Sequence, residues 1–185
     1  MKHIGTKPLE SERLLLRAFA LSDAAAMFQN WAGDEEVTRF LSWPAHQSAS
    51  VSQAVLADWV PRYADERYYH WAIVHKGVGE PIGSIAAVRV RDEANAVAMG
   101  YCIGKKWWRQ GLTSEALALL LRFFFVEVGV NRIESWHDVQ NPNSGRVMQK
   151  CGLRLEGILR QGDRNNRGLV DTALYALLAE DYFMA

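Results

Sequence analysis

The 185-residue chain holds only two cysteines, Cys102 and Cys151. Two thiols make neither a disulfide framework nor a metal-ligand spacing, and a reducing cytoplasm is the simplest compartment for them. Net charge is absent as well: 21 Lys and Arg balance 21 Asp and Glu. A neutral chain has no global field to hold a polyanion, which argues against nucleic acid as a direct partner. Long apolar runs are also missing. The greasiest stretch, Ala116 to Val126, is interrupted by Arg122 and falls well short of the roughly 18 residues a membrane span needs. It reads as a buried helix, and no membrane partner is expected. The opening residues Met1 to Pro8 lack the apolar core of a signal peptide. Repeats, low-complexity tracts and linkers are absent too, so residues 1–185 read as one domain.

What is present is a core. Of all residues 49% are hydrophobic and 11% aromatic, enough to bury a single globular interior and to exclude disorder. Residues 12–17 read as a first strand, and Ser22 and Asp23 offer caps for a helix through Ala24 to Phe28. Val51, Val55, Trp59 and Tyr63 recur every four residues, predicting a helix over 48–63. Segments 69–75, 82–90 and 96–103 read as strands. A loop over 105–111 leads to a helix from Leu112 to Val128, with Gly129 as a left-handed cap. A strand over 132–138 follows. Asn141 and Pro142 then open a helix that stops at Cys151-Gly152, and strands near 153–159 and 169–177 finish the chain. Mixed elements in this order imply an α/β sheet flanked by helices.

The strand, Gly-containing loop and helix start at 104–112 have a physical use. First-turn N–H groups lack partners and the helix dipole adds positive charge, so such a terminus binds phosphate. Gly111 allows close approach, and Lys105, Lys106 and Arg109 form a local basic patch. The alternative is an ordinary turn with solvated charges. No Gly-Lys-Ser/Thr follows and the three-glycine dinucleotide pattern is missing, which disfavours a nucleotide-binding protein.

Residues 100–104 (Gly-Tyr-Cys-Ile-Gly), followed by 108–116 (Trp-Arg-Gln-Gly-Leu-Thr-Ser-Glu-Ala), resemble motif A of the GNAT acetyltransferase superfamily. Residues 141–153, from Asn-Pro-Asn-Ser-Gly to Lys-Cys-Gly-Leu, resemble its motif B. Leu14-Leu15-Leu16-Arg17, Leu155-Glu156-Gly157 and Asp171 resemble the branch of ribosomal-protein N-terminal acetyltransferases, the RimJ/RimL-like enzymes. The resemblance implies the GNAT fold, α/β (α+β) in class. Its sheet is mixed, mostly antiparallel and twisted, with about seven strands, about four flanking helices and a splay between the fourth and fifth strands. It implies an acetyl-CoA-dependent N-acetyltransferase acting on a primary amine, with a (ribosomal) protein N-terminus as one acceptor and a small amine, such as a polyamine or antibiotic, as another. It implies a cytoplasmic monomer or homodimer with no metal. A catalytically weak acyl-CoA-binding sensor or partner module is the competing class.

By the same resemblance, backbone N–H groups of Arg109, Gln110, Gly111, Leu112, Thr113 and Ser114 hold the coenzyme pyrophosphate. Tyr101, Cys102 and Ile103 pair with the pantetheine, a strand N–H near Tyr101 faces the thioester carbonyl, Asn141 touches the pantetheine and Ser144 sits near the sulfur. The chain departs from the family at Trp108 and Thr113, and at Met148, where many members carry a tyrosine that protonates the leaving thiolate. A thioether donates no proton, so Ser144 is the expected donor; its alternative role is capping its own helix turn. Asp163 leads as the base, with a turn residue as the alternative; Glu156 and His137 are further candidates. Cys102 reads as a buried small hydrophobe rather than a nucleophile. The aromatic segment 38–44 and the late hairpin are expected to bind the acceptor, while Asp34-Glu35-Glu36 read as a solvated helix end.

Overall fold

The computed structural model describes residues 1–184. Its strands are β1 (Leu9–Glu10), β2 (Leu14–Arg17), β3 (His70–His75), β4 (Glu80–Arg91), β5 (Ala96–Ile103), β6 (Arg132–Asp138), β7 (Arg154–Asn165) and β8 (Gly168–Leu178). They form one sheet in the order β1-β2-β3-β4-β5-β6-β8-β7. Every pairing is antiparallel except β5 with β6. The mixed α/β sheet is the expected one; the eighth strand is the short β1, whose two residues are too few to leave an alternating pattern.

Helices α1 (Ala24–Met27), α2 (Glu35–Thr38) and α3 (Ala49–Trp59) cover one face; α4 (Leu112–Arg122) and α5 (Pro142–Lys150) cover the other, and α6 (Ala179–Met184) ends the chain. Both α1 and α4 widen into π-helical turns, at Phe28–Ala32 and Phe123–Val128. Gly129, at φ 75°, stops the second. The apolar stretch 116–126 is the buried helix the sequence predicts, with Arg122 on its solvent side. Among the described residues no helix is long and apolar enough to cross a membrane.

Pleating divides the core in two. Val97, Met99 and Ile103 of β5 join Leu112, Leu117 and Leu120 of α4, with Tyr101 packed beside them. Cys102 points the other way, against Met27, Trp31 and Leu56 under α1 and α3. Thus the residues of one strand serve both layers.

Among the described residues one strand pair is parallel, and the sheet opens there. β5 pairs with β6 from Ala96↔Arg132 to Met99↔Ser135 and no further. Beyond that point β5 stays with β4 and β6 stays with β8, so a gap widens between Gly100–Ile103 and Trp136–Asp138. This is the splay expected between the fourth and fifth strands counted from the sequence.

Candidate active site

Antiparallel pairing fixes which β5 amides look into the gap. Gly104 N–H donates to Ile82 O at 2.8 Å, and the same rungs continue as Ser84↔Cys102 and Ala86↔Gly100. Residues with that parity turn their amides to β4, so Tyr101 and Ile103 turn theirs to the gap. Two carbonyls on this edge are already taken. Ser135 Oγ donates to Met99 O at 2.8 Å, and Trp108 Nε1 donates to Ile103 O at 2.8 Å. Between them the Tyr101 N–H and C=O and the Ile103 N–H line a cleft of about 1340 Å³. Trp108, a departure from the family pattern, therefore closes the far end of this edge.

Side chains complete the middle of the cleft. Ser144 lies in the first turn of α5, yet its Oγ does not cap that turn; it donates to the Tyr101 hydroxyl at 3.1 Å. The Tyr101 hydroxyl in turn donates to Ser144 O at 2.9 Å. Burial pushes the phenol of Tyr101 well above its ordinary range, and the Ser144 hydrogen bond only partly offsets this. Asn141 lines the cleft and, against expectation, makes no side-chain capping bond to α5. Met148 is fully buried in the α4 and α5 core. Position 148 does not face the cleft here, so the missing tyrosine leaves no hole in it. Gly145 explains how α5 sits so close to the sheet: a Cβ there would lie 2.5 Å from His137 Nε2.

The loop before α4 has the backbone geometry expected of an anion site and a different set of neighbouring cations. Arg109 and Gly111 both adopt positive φ, 61° and 77°. Gly111 caps α4 without any side-chain bond, so the N–H groups of Leu112, Thr113 and Ser114 stay free, and the first helical bond runs from Glu115 N to Gly111 O. Arg109, Thr113 and Ser114 line the cleft. Gln110 folds its side chain onto Lys106 O, and Leu112 anchors α4 in the core; only their backbones face the loop. The expected patch of Lys105 and Lys106 is a correction: Lys105 pairs with Glu36 at 2.5 Å and Lys106 lies over the Trp107 ring. The cations next to Gly111 are Lys150, with Nζ 3.5 Å from where a Cβ would stand, and Arg13, whose guanidinium is 3.8 Å from it. Arg13 is held by Glu115, whose ionisation is opposed by burial but favoured more by Ser11 and Arg13 together.

At the opposite end the cleft is aromatic. Phe40, Leu41, Ser42 and Trp43 line it together with Trp59, His70 and Trp136. His70 packs against Trp59, tilted at 56° with 4.2 Å between ring centres, and is bonded through Nδ1 to the Tyr68 hydroxyl. Its burial pushes its pKa down to about 3, so the ring is neutral at physiological pH.

Of the three base candidates, two reach the cleft. Asp163 stands in its wall; Oδ2 accepts from Trp136 Nε1 at 2.6 Å and Oδ1 from its neighbour Arg164 N at 2.7 Å. His137 also lines the cleft, but Nδ1 bonds Asp138 O at 2.7 Å and Nε2 is packed against Gly145. Glu156 is elsewhere: Arg132 binds both its oxygens, at 2.8 and 2.5 Å, and holds its carboxyl below the usual range. Cys102 is half-buried with its Sγ 3.4 Å from Ser84 Oγ, and desolvation raises its thiol, the opposite of an activated nucleophile. Asp34 caps α2 through its carboxylate, and Glu36 is spent on Lys105.

Sequence reasoning missed Lys150, the Tyr101 hydroxyl, His70 and the Trp108 bond to Ile103. Only Lys150 left a trace, as the basic residue that closes α5.

The family model described as the acetyltransferase (GNAT) domain matches residues 13–154. An uncharacterized N-acetyltransferase of Bacillus subtilis (strain 168), YoaA, is 29% identical over 170 residues, spanning 92% of this chain and 96% of that protein. The ribosomal-protein-serine acetyltransferase of Escherichia coli (strain K12) is 30% identical over 101 residues, 55% of this chain and 56% of its own. The crystal structure of a GNAT-family acetyltransferase from Bacillus anthracis matches the fold with a TM-score of 0.81 at 23% identity, over 94% of this chain and 99% of that one. The splayed sheet and this family match agree, and the chain belongs to the GNAT family of acetyltransferases.

Proposed function

We propose that the chain moves the acetyl group of acetyl-CoA onto a primary amine, with the N-terminal α-amine of a protein or peptide as the favoured acceptor. One observation carries this reading: the Tyr101 N–H faces the gap beside the Ser144 hydroxyl, between an anion loop and an aromatic pocket.

Acetyl-CoA supplies an activated thioester. The residues present fit it. First-turn N–H groups at 112–114, the left-handed Gly111 and the cation of Lys150 suit the pyrophosphate. The β5 edge offers the pantetheine amides a strand to pair with, and Asn141 is unspent beside it. The Tyr101 N–H is a fixed donor for charge that develops on the carbonyl oxygen; losing such a donor typically costs about 2.7–4 kcal/mol. Ser144 stabilises the departing sulfur by hydrogen bonding, and Tyr101 holds Ser144 in place.

The weakness of the available bases argues for an α-amine. At pH 7.5 about a third of α-amines are neutral, against roughly 0.1% of lysine amines. Asp163 already accepts two hydrogen bonds and His70 is a neutral ring with a pKa near 3. Asp163 then receives the amine proton, directly or through one water. The aromatic wall accommodates the first side chains of the acceptor. The Escherichia coli relative, named for ribosomal-protein-serine acetylation, supports a protein acceptor.

The test is thiol release from acetyl-CoA with free N-terminal peptides, N-blocked lysine peptides and polyamines. The expected kcat/KM at pH 7.5 favours free N-termini by about 100-fold or more, and the difference narrows toward pH 10. Equal use of N-blocked lysine peptides at pH 7.5 would overturn the acceptor assignment.

A further inference from the structure

The splay divides the sheet into a β1–β5 half and a β6–β8–β7 half, and Asn166 hydrogen-bonds the second half back to the first across the mouth of the cleft. Asn166 sits at the turn between β7 and β8. Its Nδ2 donates to Thr38 O at 2.9 Å and to Trp43 O at 2.6 Å, while its backbone N–H donates to Leu41 O at 3.0 Å. The acceptors lie at the end of α2 and in the loop that follows it, whose residues Phe40 to Trp43 line the cleft.

Each side of this bridge is anchored in its own half. The loop is fixed to the β5 half through Glu36 and Lys105, through Trp43 against the core under α1 and α3, and through His46 N to Ala32 O at 2.8 Å. The hairpin tip is fixed to the end of β6 by Asp138, a carboxylate with 3% side-chain exposure. Its Oδ2 accepts from Asn165 Nδ2 at 2.9 Å and from Arg167 at 3.5 Å. Arg167 also reaches across the gap, with its guanidinium 5.5 Å from the centre of the Phe40 ring. Asn165 and Arg167 therefore hold the tip to its own strand, and Asn166, with the Arg167 guanidinium over Phe40, joins it to the other half.

We infer that Asn166 is a positioning residue that latches the acceptor loop to the β7–β8 hairpin and so roofs the acceptor end of the cleft. With the latch closed, an acceptor enters as a narrow chain end, an amine at the tip of an unstructured segment, and not as an amine on a broad folded surface. The chemistry suits the role. A carboxamide N–H₂ has two donors, and here both meet carbonyl oxygens in one loop. This inference deepens the acceptor assignment above, and the latch itself stands apart from which amine is used.

Two variants of the full chain test it. Asn166→Ala removes both side-chain donors. Asn166→Asp keeps the shape but faces two carbonyls with an acceptor-only carboxylate. Both keep the backbone bond to Leu41. The first readout is amide hydrogen exchange over residues 37–44, expected to speed up about tenfold, and more for Asp than for Ala. The second is the acceptor KM, expected to rise about tenfold with kcat within about threefold, while acetyl-CoA affinity by calorimetry stays within about twofold. The preference for an unstructured peptide over the same residues at the start of a folded helix should shrink. Exchange over 37–44 at the wild-type rate in both variants overturns the latch. So does a fall in kcat with an unchanged acceptor KM. Should N-terminal amines prove not to be substrates at all, the exchange measurement still decides the latch, and only the acceptor assignment falls.

Discussion

Replacing Tyr101 with Phe separates the roles of the two hydroxyls at the centre of the cleft. The ring keeps its shape, so no cavity forms. What disappears is one donor to Ser144 O at 2.9 Å and one acceptor for Ser144 Oγ at 3.1 Å. Each net hydrogen bond is worth about 0.5–1.5 kcal/mol, and Ser144 borders the cleft, where water replaces part of the loss. A destabilisation of about 1–2 kcal/mol follows, or roughly 2–8 °C in Tm for a domain of this size. The kinetic effect is different in kind. On the proposed role, a Ser144 hydrogen bond to the departing thiolate would be a bond to a charged group, worth about 1.5–3 kcal/mol, so Ser144→Ala should lower kcat by about 10- to 150-fold. Tyr101→Phe leaves that hydroxyl present but unheld, and about a 3- to 10-fold fall is expected. The double variant should be no slower than Ser144→Ala alone, because the tyrosine acts through the serine. Burial keeps the phenol above its ordinary range, so the pH profile between pH 6 and 9 should keep its shape in Tyr101→Phe. Stopped-flow or steady-state thiol release measures all three variants. A Tyr101→Phe loss larger than that of Ser144→Ala, or additive losses in the double variant, would refute this division of labour.

His70 makes the protein sensitive to acid. Its folded pKa lies near 3, below the 6.5 of an unfolded histidine, so the unfolded state binds the extra proton. Stability should rise with pH between about 3 and 6.5 and be fully present above that window; His70→Gln should flatten the rise in denaturant titrations across pH. Glu156 has its carboxyl held low by Arg132, so its contribution is present above about pH 4.3 and fades as pH falls through the lower folded value. The pair is partly exposed, so Glu156→Gln should cost under about 1 kcal/mol in thermal unfolding and leave kcat unchanged, where a catalytic base would lose orders of magnitude.

Signals carried by neighbours in the chain were legible in the sequence. The strand, loop and helix start at 104–112, the α5 opening at Asn141-Pro142 and the left-handed stop at Gly129 all follow from local chemistry. Hence the α/β order and the loop-to-helix geometry at 104–112 were legible from the residues, while the splay was expected only from the family resemblance. The misreadings came from partners distant in sequence. Lys105 looks like a phosphate ligand until Glu36, 69 residues away, takes its charge. Lys150 reaches the anion loop only because α5 docks with its last turn against Gly111. Met148 looks like a defect in the catalytic motif, but the docking of α5 turns that position into the core. Ser144 and Tyr101 meet across 43 residues, which no periodicity records. Asn166 reads as a turn residue on composition, and its bonds to Thr38 and Trp43 depend on how the hairpin lies over a loop formed far earlier in the chain.

The central claim is that the loop at Gly111 holds the pyrophosphate of acetyl-CoA. Calorimetry with acetyl-CoA on the wild type and on Gly111→Glu tests it most directly. A side chain at φ 77° is strained by roughly 1–2 kcal/mol, and the new carboxylate would stand beside Lys150 and Arg13 in place of a phosphate. Wild-type binding that weakens by about 100-fold or more in a variant with a native circular dichroism spectrum is the predicted result. A wild type that does not bind acetyl-CoA, or a folded variant that binds it as tightly as the wild type, would contradict the account.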